Sequence, residues 1–384
     1  MAARSTGIRS AGDPACRQAE FDAKLTRIRA YLREHGLGGV ALSSQALFAW
    51  ATAGGDNHVV MASEYGVGRL LVTPERVTVL SANIETQRLS DEEFKGLDTS
   101  GIEFWHSPWH ADETGAEIQR RMGSRTWASD SEIAPVRLGE DFLQLSYALH
   151  ENEIARYRKL GKDCSQAMEE ALGAVRSGDR EYQVAGLIAK RLWDHGVRPH
   201  VILVAADERV FSYRHPIPTA RKLKKHLMGV LCGKRGGLII NLSRMLHFAR
   251  KLPPDLRRKH DAVCAVDLAL NTASLPGARI RNVFAAGVAE YERQGFPDEW
   301  QFHHQGGPTG YQGRSYLGTP REERLVLENQ AFAWNPSIRG TKSEDTILAR
   351  DGGIEFLSAP TSTWPVVAVR LDGKTYKRAD IRLG

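Results

Sequence analysis

After Glu151 the sequence runs twice through the same order of elements, two amphipathic helices followed by apolar, strand-like runs. Ile154, Tyr157, Gly161, Cys164, Met168 and Leu172 fall on one face of a long helix. Ser177-Gly178-Asp179 interrupts it, and a second helix places Val184, Ile188 and Leu192 on a common side. The runs VILVA (201–205), LMGVL (227–231) and LIINL (238–242) then read as strands. The order repeats with helices over Ala262–Thr272 and Val283–Gln294 and strand-like AFAW (331–334) and TILA (346–349). A chain that repeats itself in this way builds an α+β domain from two similar halves.

The first 140 residues have a different character. Phe21, Leu25, Ile28 and Leu32 form a helical stripe that stops at Gly36, and Gly39–Leu42 reads as a strand. LLV (70–72) and VTVL (77–80), joined by Thr73-Pro74-Glu75-Arg76, read as a hairpin. Helix followed by strands predicts a smaller α/β layer domain, ending near residue 140 where ASDSEIAP and RLGED break the pattern. The expected organisation is a disordered leader over 1–18, an α/β domain over 19–140 and the duplicated domain over 148–384. A length of 384 residues suits two domains.

Composition excludes several classes. No run of about 18 apolar residues is present, so no membrane helix is expected, and the polar opening is not a secretory signal. The four cysteines (Cys16, Cys164, Cys232, Cys264) are widely spaced, which fits reduced thiols and a cytoplasmic location. Cys232, within a strand, reads as a small core residue rather than a nucleophile. The net charge is +6, but its densest clusters, RKLKKH (221–226) and LRRKH (256–260), lack interleaved aromatics. They read as solvated faces, so neither nucleic acid nor membrane is an expected partner.

No GxxxxGK[ST] loop, GxSxG elbow or HExxH helix is present. Polar, loop-forming residues gather instead in SYRHPIPT (212–219), GLIINLSR (237–244), FHHQGGPTGYQGR (302–314) and AFAWNPSIRGTKSEDT (331–346). In that order and spacing these segments resemble the pita-bread family of creatinase, prolidase, aminopeptidase P and methionine aminopeptidase. HENEIARYRKLG and GDREYQVAGLIAKRLWDHG resemble the two helices that open its catalytic domain. The resemblance covers about residues 150–360 and implies a pita-bread catalytic domain, a pseudo-twofold duplicated α+β fold, preceded by a creatinase-like α/β domain.

Peptidases of that family hold two divalent ions with two aspartates, a histidine and two glutamates. The resemblance places the first aspartate at Val230 or Leu231, the second at Asn241, the histidine at Gly307 and the first glutamate at Asn335. Only the last glutamate is kept, as Glu344. Hard dications need anionic oxygen ligands, so the expectation is loss of the dinuclear site and no cofactor. His215 matches the family's catalytic histidine and His303 another active-site histidine, while a third falls on Arg314. The resemblance thus implies catalytic roles for His215, His303 and Glu344 and substrate contacts from Asn241, Asn335, Arg314 and Tyr311. His303 is expected to face the pocket and its neighbour His304 to point away, because successive extended residues alternate.

Creatinase uses this fold without metal, cleaving a C–N bond with a histidine as acid and base. The expected function is therefore a metal-independent, creatinase-like hydrolase or lyase acting on a small polar metabolite, neutral or anionic. The alternatives are an Xaa-Pro-type peptidase with an atypical metal site and a catalytically inactive pita-bread binding protein, as among histone-chaperone relatives. Relatives pair through both domains, so a homodimer is expected.

Overall fold

A computed structural model describes residues 14–371 and 373–384. The chain divides into two units, Met1–Arg156 and Tyr157–Gly384. None of the described helices is long and apolar enough to cross a membrane.

The first unit is built on one mixed sheet. Its strands are β1 (Gly39–Ser44), β2 (Tyr65–Val72), β3 (Val77–Ala82), β4 (Ile102–Ser107), β5 (Trp127–Ser129) and β6 (Val136–Arg137), in the order β4-β3-β2-β1-β5-β6. The expected hairpin is β2–β3, with Val72 opposite Val77. The Thr73 amide donates to the Arg76 carbonyl (2.9 Å), and Pro74 suits the first corner of the turn. The central strand β1 is buried along its whole length, which is why it reads as an unbroken apolar run. The helix Pro14–Glu34 buries Phe21, Leu25, Ile28 and Leu32. It ends at Gly36, whose φ of +62° allows the Leu37 amide to return to the Leu32 carbonyl (2.9 Å).

The leader expected over 1–18 lies outside the described residues as far as residue 13. From Pro14 the chain is helical, not disordered. Arg17 anchors this first turn by donating to the carbonyls of Lys95 (2.6 Å), Thr52 (3.1 Å) and Ala53 (3.2 Å). Those three long-range bonds, absent from any local pattern, order a segment that composition alone marks as polar and loose.

The second unit contains the duplication. The helix Glu151–Ala174 runs into it from residue 157, and Tyr157, Leu160, Cys164, Met168 and Leu172 are buried. Gly161 belongs to the same face because a Cβ there would meet the Leu357 carbonyl oxygen at 2.0 Å. The helix Glu181–Asp194 follows, and then β7 (Arg198–Ala206), β8 (His226–Arg235) and β9 (Leu238–His247) as antiparallel neighbours. The second passage consists of helices Pro254–Ala273 and Ile280–Arg293, then β10 (Gly306–Thr309), β11 (Ala331–Trp334), β12 (Ser337–Ile338), β13 (Thr341–Lys342), β14 (Asp345–Arg350) and β15 (Gly353–Phe356). Four of these form a second antiparallel sheet, in the order β10-β11-β14-β15. Val263, Val266, Leu270, Ile280, Val283, Phe332, Trp334 and Ile347 fill the core between its helices and strands. The hairpin β16 (Val366–Leu371) and β17 (Lys374–Ala379) follows, and β18 (Arg382–Leu383) adds to the edge of β9.

The two passages meet where β9 runs beside the segment leading into β14. The Ser243 amide donates to the Glu344 carbonyl (3.0 Å), and the Asn241 amide donates to Thr346 Oγ1 (2.8 Å). Polar side chains from both passages converge at this junction.

Candidate functional site

The register of β8 and β9 decides which residues face the junction. Val230 pairs with Ser243 and Cys232 with Asn241, so these four share one face of the pleat, while Leu231 and Leu242 share the other. A cavity of about 320 Å³ opens over the first face. Of the two positions left open from sequence, Val230 lines it and Leu231 does not. Val201 and Leu203 of β7 add apolar wall, and Asn241, Asn335, His215, Arg314 and Glu344 bring their polar groups to the same space. Five of the seven residues singled out from sequence thus line one cavity.

The other two lie elsewhere. Tyr311 is buried but does not line the cavity, so its expected substrate contact is not supported by its position. His303 stands behind the cavity wall and reaches the site through a neighbour, with its Nε2 3.1 Å from His215 Nε2. Its Nδ1 lies 3.0 Å from Ser337 Oγ, and Arg214 Nη1 donates to the same hydroxyl (3.2 Å). The alternation argument also fails for the histidine pair. It is His304 that lines the cavity, and both rings approach His215, with centroids 4.9 Å away for His303 and 5.2 Å for His304. The two lie between the short helix Glu299–Phe302 and β10, outside any strand, so although His303 itself is extended (φ −154°, ψ 138°) the regular alternation of a strand is not imposed on the pair. The ligand atoms of all three imidazoles lie within 4.8 Å of one another, and among the described residues this is the group spaced to hold a metal ion.

Lys342 was missed. It is buried, and its Nζ lies 2.8 Å from Glu344 Oε2. Ser243 donates to the same oxygen (2.6 Å), and Arg314 Nη2 reaches Oε1 at 3.0 Å. Lys342 stands two residues before Glu344, so the period of an extended segment puts both on one side, a signal present in the sequence. The intervening side chains turn the other way. Ser343 donates to Asp267 Oδ2 (2.6 Å), and Asp345 lies 3.0 Å from both Arg244 and Arg378. Arg244 in turn pairs with Glu169 (2.9 Å), and Arg378 Nε with Asp267 (2.7 Å), all of them buried.

Burial pushes the Glu344 carboxyl upward, but Lys342 and Arg314 outweigh it and hold it at about 2. The carboxylate is therefore ionised, and each of its oxygens is already engaged. The imidazoles move downward. Burial and the Lys342 cation lower His215 and His303, and burial with the Arg314 cation lowers His304 to about 4. All three are neutral at neutral pH. Burial pushes the Cys232 thiol up to about 12, so the nearest sulfur in the cavity wall is a protonated thiol and not a nucleophile.

The geometry provides neutral imidazoles, two cations on one carboxylate, and two amides around a cavity of about 320 Å³. Similarity to known proteins places this arrangement in a family. The model for metallopeptidase family M24 matches residues 155–356, slightly more than half of the chain. The solved Xaa-Pro dipeptidase from Bacillus anthracis is similar over 94% of this chain and 99% of its own, with 15% identity and a TM-score of 0.74. The X-Pro aminopeptidase from Thermotoga maritima MSB8 is similar over the same two shares, with 13% identity and a TM-score of 0.75. The N-terminal domain of FACT complex subunit SPT16 from Cicer arietinum is similar over 92% of this chain and 97% of its own, with 12% identity and a TM-score of 0.67. No curated protein sequence matches at a significant level. With the duplicated α+β unit carrying the pita-bread hydrolase fold, and the family model spanning both of its passages, the chain belongs to metallopeptidase family M24.

Proposed function

We propose that the protein is a metal-independent hydrolase that cleaves a C–N bond in a small neutral or anionic metabolite, with His215 as acid and base. The observation that carries this reading is the Lys342–Glu344–Arg314 cluster, in which two fixed cations occupy the one carboxylate that a metal would need. The other donors do not fit a dinuclear centre. Val230 offers no ligand atom, Asn241 and Asn335 offer neutral amides, and a Cβ on Gly307 would lie 2.5 Å from the Tyr316 carbonyl oxygen. Two dications beside Lys342 and Arg314, with a single carboxylate between them, would be left uncompensated.

The imidazoles supply the acid–base chemistry instead. A neutral His215 takes a proton from water while the oxygen adds to the carbon of the C–N bond. The bond then breaks, its electron pair goes to nitrogen, and the nitrogen takes the proton back from His215. Once protonated, His215 donates from both nitrogens. Its Nε2–H faces His303 Nε2, which accepts only when His303 carries its own proton on Nδ1 and donates it to Ser337 Oγ. His303 is thus a positioning residue that stabilises the imidazolium, and Glu344 is the residue that holds Lys342 and Arg314 at the cavity.

Metal analysis tests the reading. The purified chain is expected to hold far less than one equivalent of manganese, zinc, cobalt or iron, and chelation should leave activity intact. Two tightly bound ions per chain would overturn it. A single ion lost in His304→Ala would favour the second reading, a peptidase whose metal sits on the imidazole trio.

We also propose a homodimer. Val59, Val60, Met61 and Trp109 give the first unit exposed apolar surface that association could cover. Sedimentation at micromolar concentration should return about twice the 42.6 kDa chain mass, and a monomer would contradict the proposal.

A further inference from the structure

We infer that the cavity recognises a ureido group, and that its ligand is an N-carbamoyl acid rather than an amidino or simple acyl compound. The inference rests on the hydrolase reading only for the location of the site.

Four buried polar atoms on residues that line the cavity have no hydrogen-bond partner, namely Asn241 Oδ1, Asn335 Oδ1, Arg314 Nε and His304 Nδ1. The Asn241 amide is oriented by its surroundings. Its Nδ2 donates to Thr309 Oγ1 (2.9 Å), and the Thr309 hydroxyl donates to the Gln312 carbonyl (3.1 Å), so the oxygen is the end left over. Asn335 shares this state while its backbone amide is tied to the Gln305 carbonyl (3.0 Å). Arg314 Nη1 donates to the Gly313 carbonyl (2.6 Å) and Nη2 to Glu344, while its buried Nε–H meets no acceptor. Buried groups of this kind are costly unless a ligand completes them.

Two amide oxygens and one guanidinium N–H have fixed roles and define the complement, while His304 Nδ1 accepts or donates according to its tautomer. The ligand must present N–H groups to two amide oxygens and a carbonyl oxygen to a guanidinium N–H. A urea nitrogen pair and its carbonyl meet all three demands, whereas a guanidinium has no acceptor and an acetamide has a single N–H.

Charge points the same way. Lys342 and Arg314 outnumber Glu344, and the imidazoles beside them are neutral, so the lining carries one surplus positive charge. A cationic amidino group would be repelled, and a ligand carboxylate would balance the surplus. Val201, Leu203 and Val230 leave room for a short aliphatic body.

Calorimetry on the full chain with N-carbamoylglycine, guanidinoacetate and N-acetylglycine tests the inference. N-carbamoylglycine should bind at least about tenfold more tightly than either of the others, the worth of a buried hydrogen bond left unmade. Asn335→Asp adds a negative charge and should reverse the order between the ureido and guanidino compounds. If that variant does not fold, the order measured on the native chain decides alone. Equal or tighter binding of guanidinoacetate, or no binding of any of the three, overturns the inference. Tight ureido binding without turnover would keep the ligand class and overturn the hydrolase reading. Turnover of other amides without ureido binding would do the reverse.

Discussion

His215→Ala is expected to lower kcat by roughly 10²–10⁴-fold on whichever substrate a screen of ureido, amidino and N-acyl compounds returns, the usual worth of a positioned acid–base group. The fold should survive, because His215 sits in an exposed loop and its ring contacts are with other site histidines. The pH profile carries the same information. Burial and the Lys342 cation hold His215 below its ordinary value, and the base works only when neutral. Activity should therefore be level through neutral pH and fall on the acid side, with its midpoint below about 6.5. Circular dichroism checks the fold while steady-state kinetics read the loss. Full activity in His215→Ala would discard histidine acid–base chemistry at this site, even with the family and fold unchanged.

The second large effect concerns stability. Arg378→Met should destabilise the second unit by roughly 3–5 kcal/mol, the range for breaking a buried ion pair by removing one partner. Arg378 of β17 is fully buried and faces Asp267 on the helix Pro254–Ala273 and Asp345 at the start of β14. Without it, two carboxylates share the neighbourhood with Arg244 and Glu169 alone. Its side chain also lies over the Phe356 ring, 4.6 Å from the centroid, so packing is lost together with charge. Denaturant unfolding should show the shift. A change below about 1 kcal/mol would mean that the cluster is no more than a surface-like pairing.

Much of the fold was legible because it rests on local periods. The face Tyr157, Cys164, Met168 and Leu172 is buried as the helical spacing requires, and the hairpin β2–β3 forms around the turn that Pro74 favours. The polar segments were legible as a group, since five of the residues taken from them line one cavity. What escaped was information carried by distant pairing. Nothing near Arg17 in sequence announces the carbonyls of Thr52 and Lys95 that order it. His304 is expected to point outward by a rule for regular strand, but it lies outside any strand, between a short helix and β10. The resemblance implies a substrate contact from Tyr311, yet its side chain is buried and does not line the cavity. Lys342 was visible as a neighbour of Glu344 in an alternating segment, but its significance appears only when the surrounding donors prove to be amides and apolar groups.

The alternation from Lys342 to Asp345 couples two properties that many sites keep apart. One set of side chains sets the field in the cavity, and the interleaved set is bolted into the ion cluster behind it. This stretch therefore has no partial way to loosen, because lifting the cavity charges away would also strip Asp345 from two arginines. In the language of local opening, the segment is expected among the well-protected parts of its unit, which amide hydrogen exchange would check. The charges of Lys342 and Glu344 are thus set as deeply as the core, while His215, the proposed base, rides on an exposed loop. The proposed chemistry is carried by an exposed part of the chain and the fixed ion pair by a buried one.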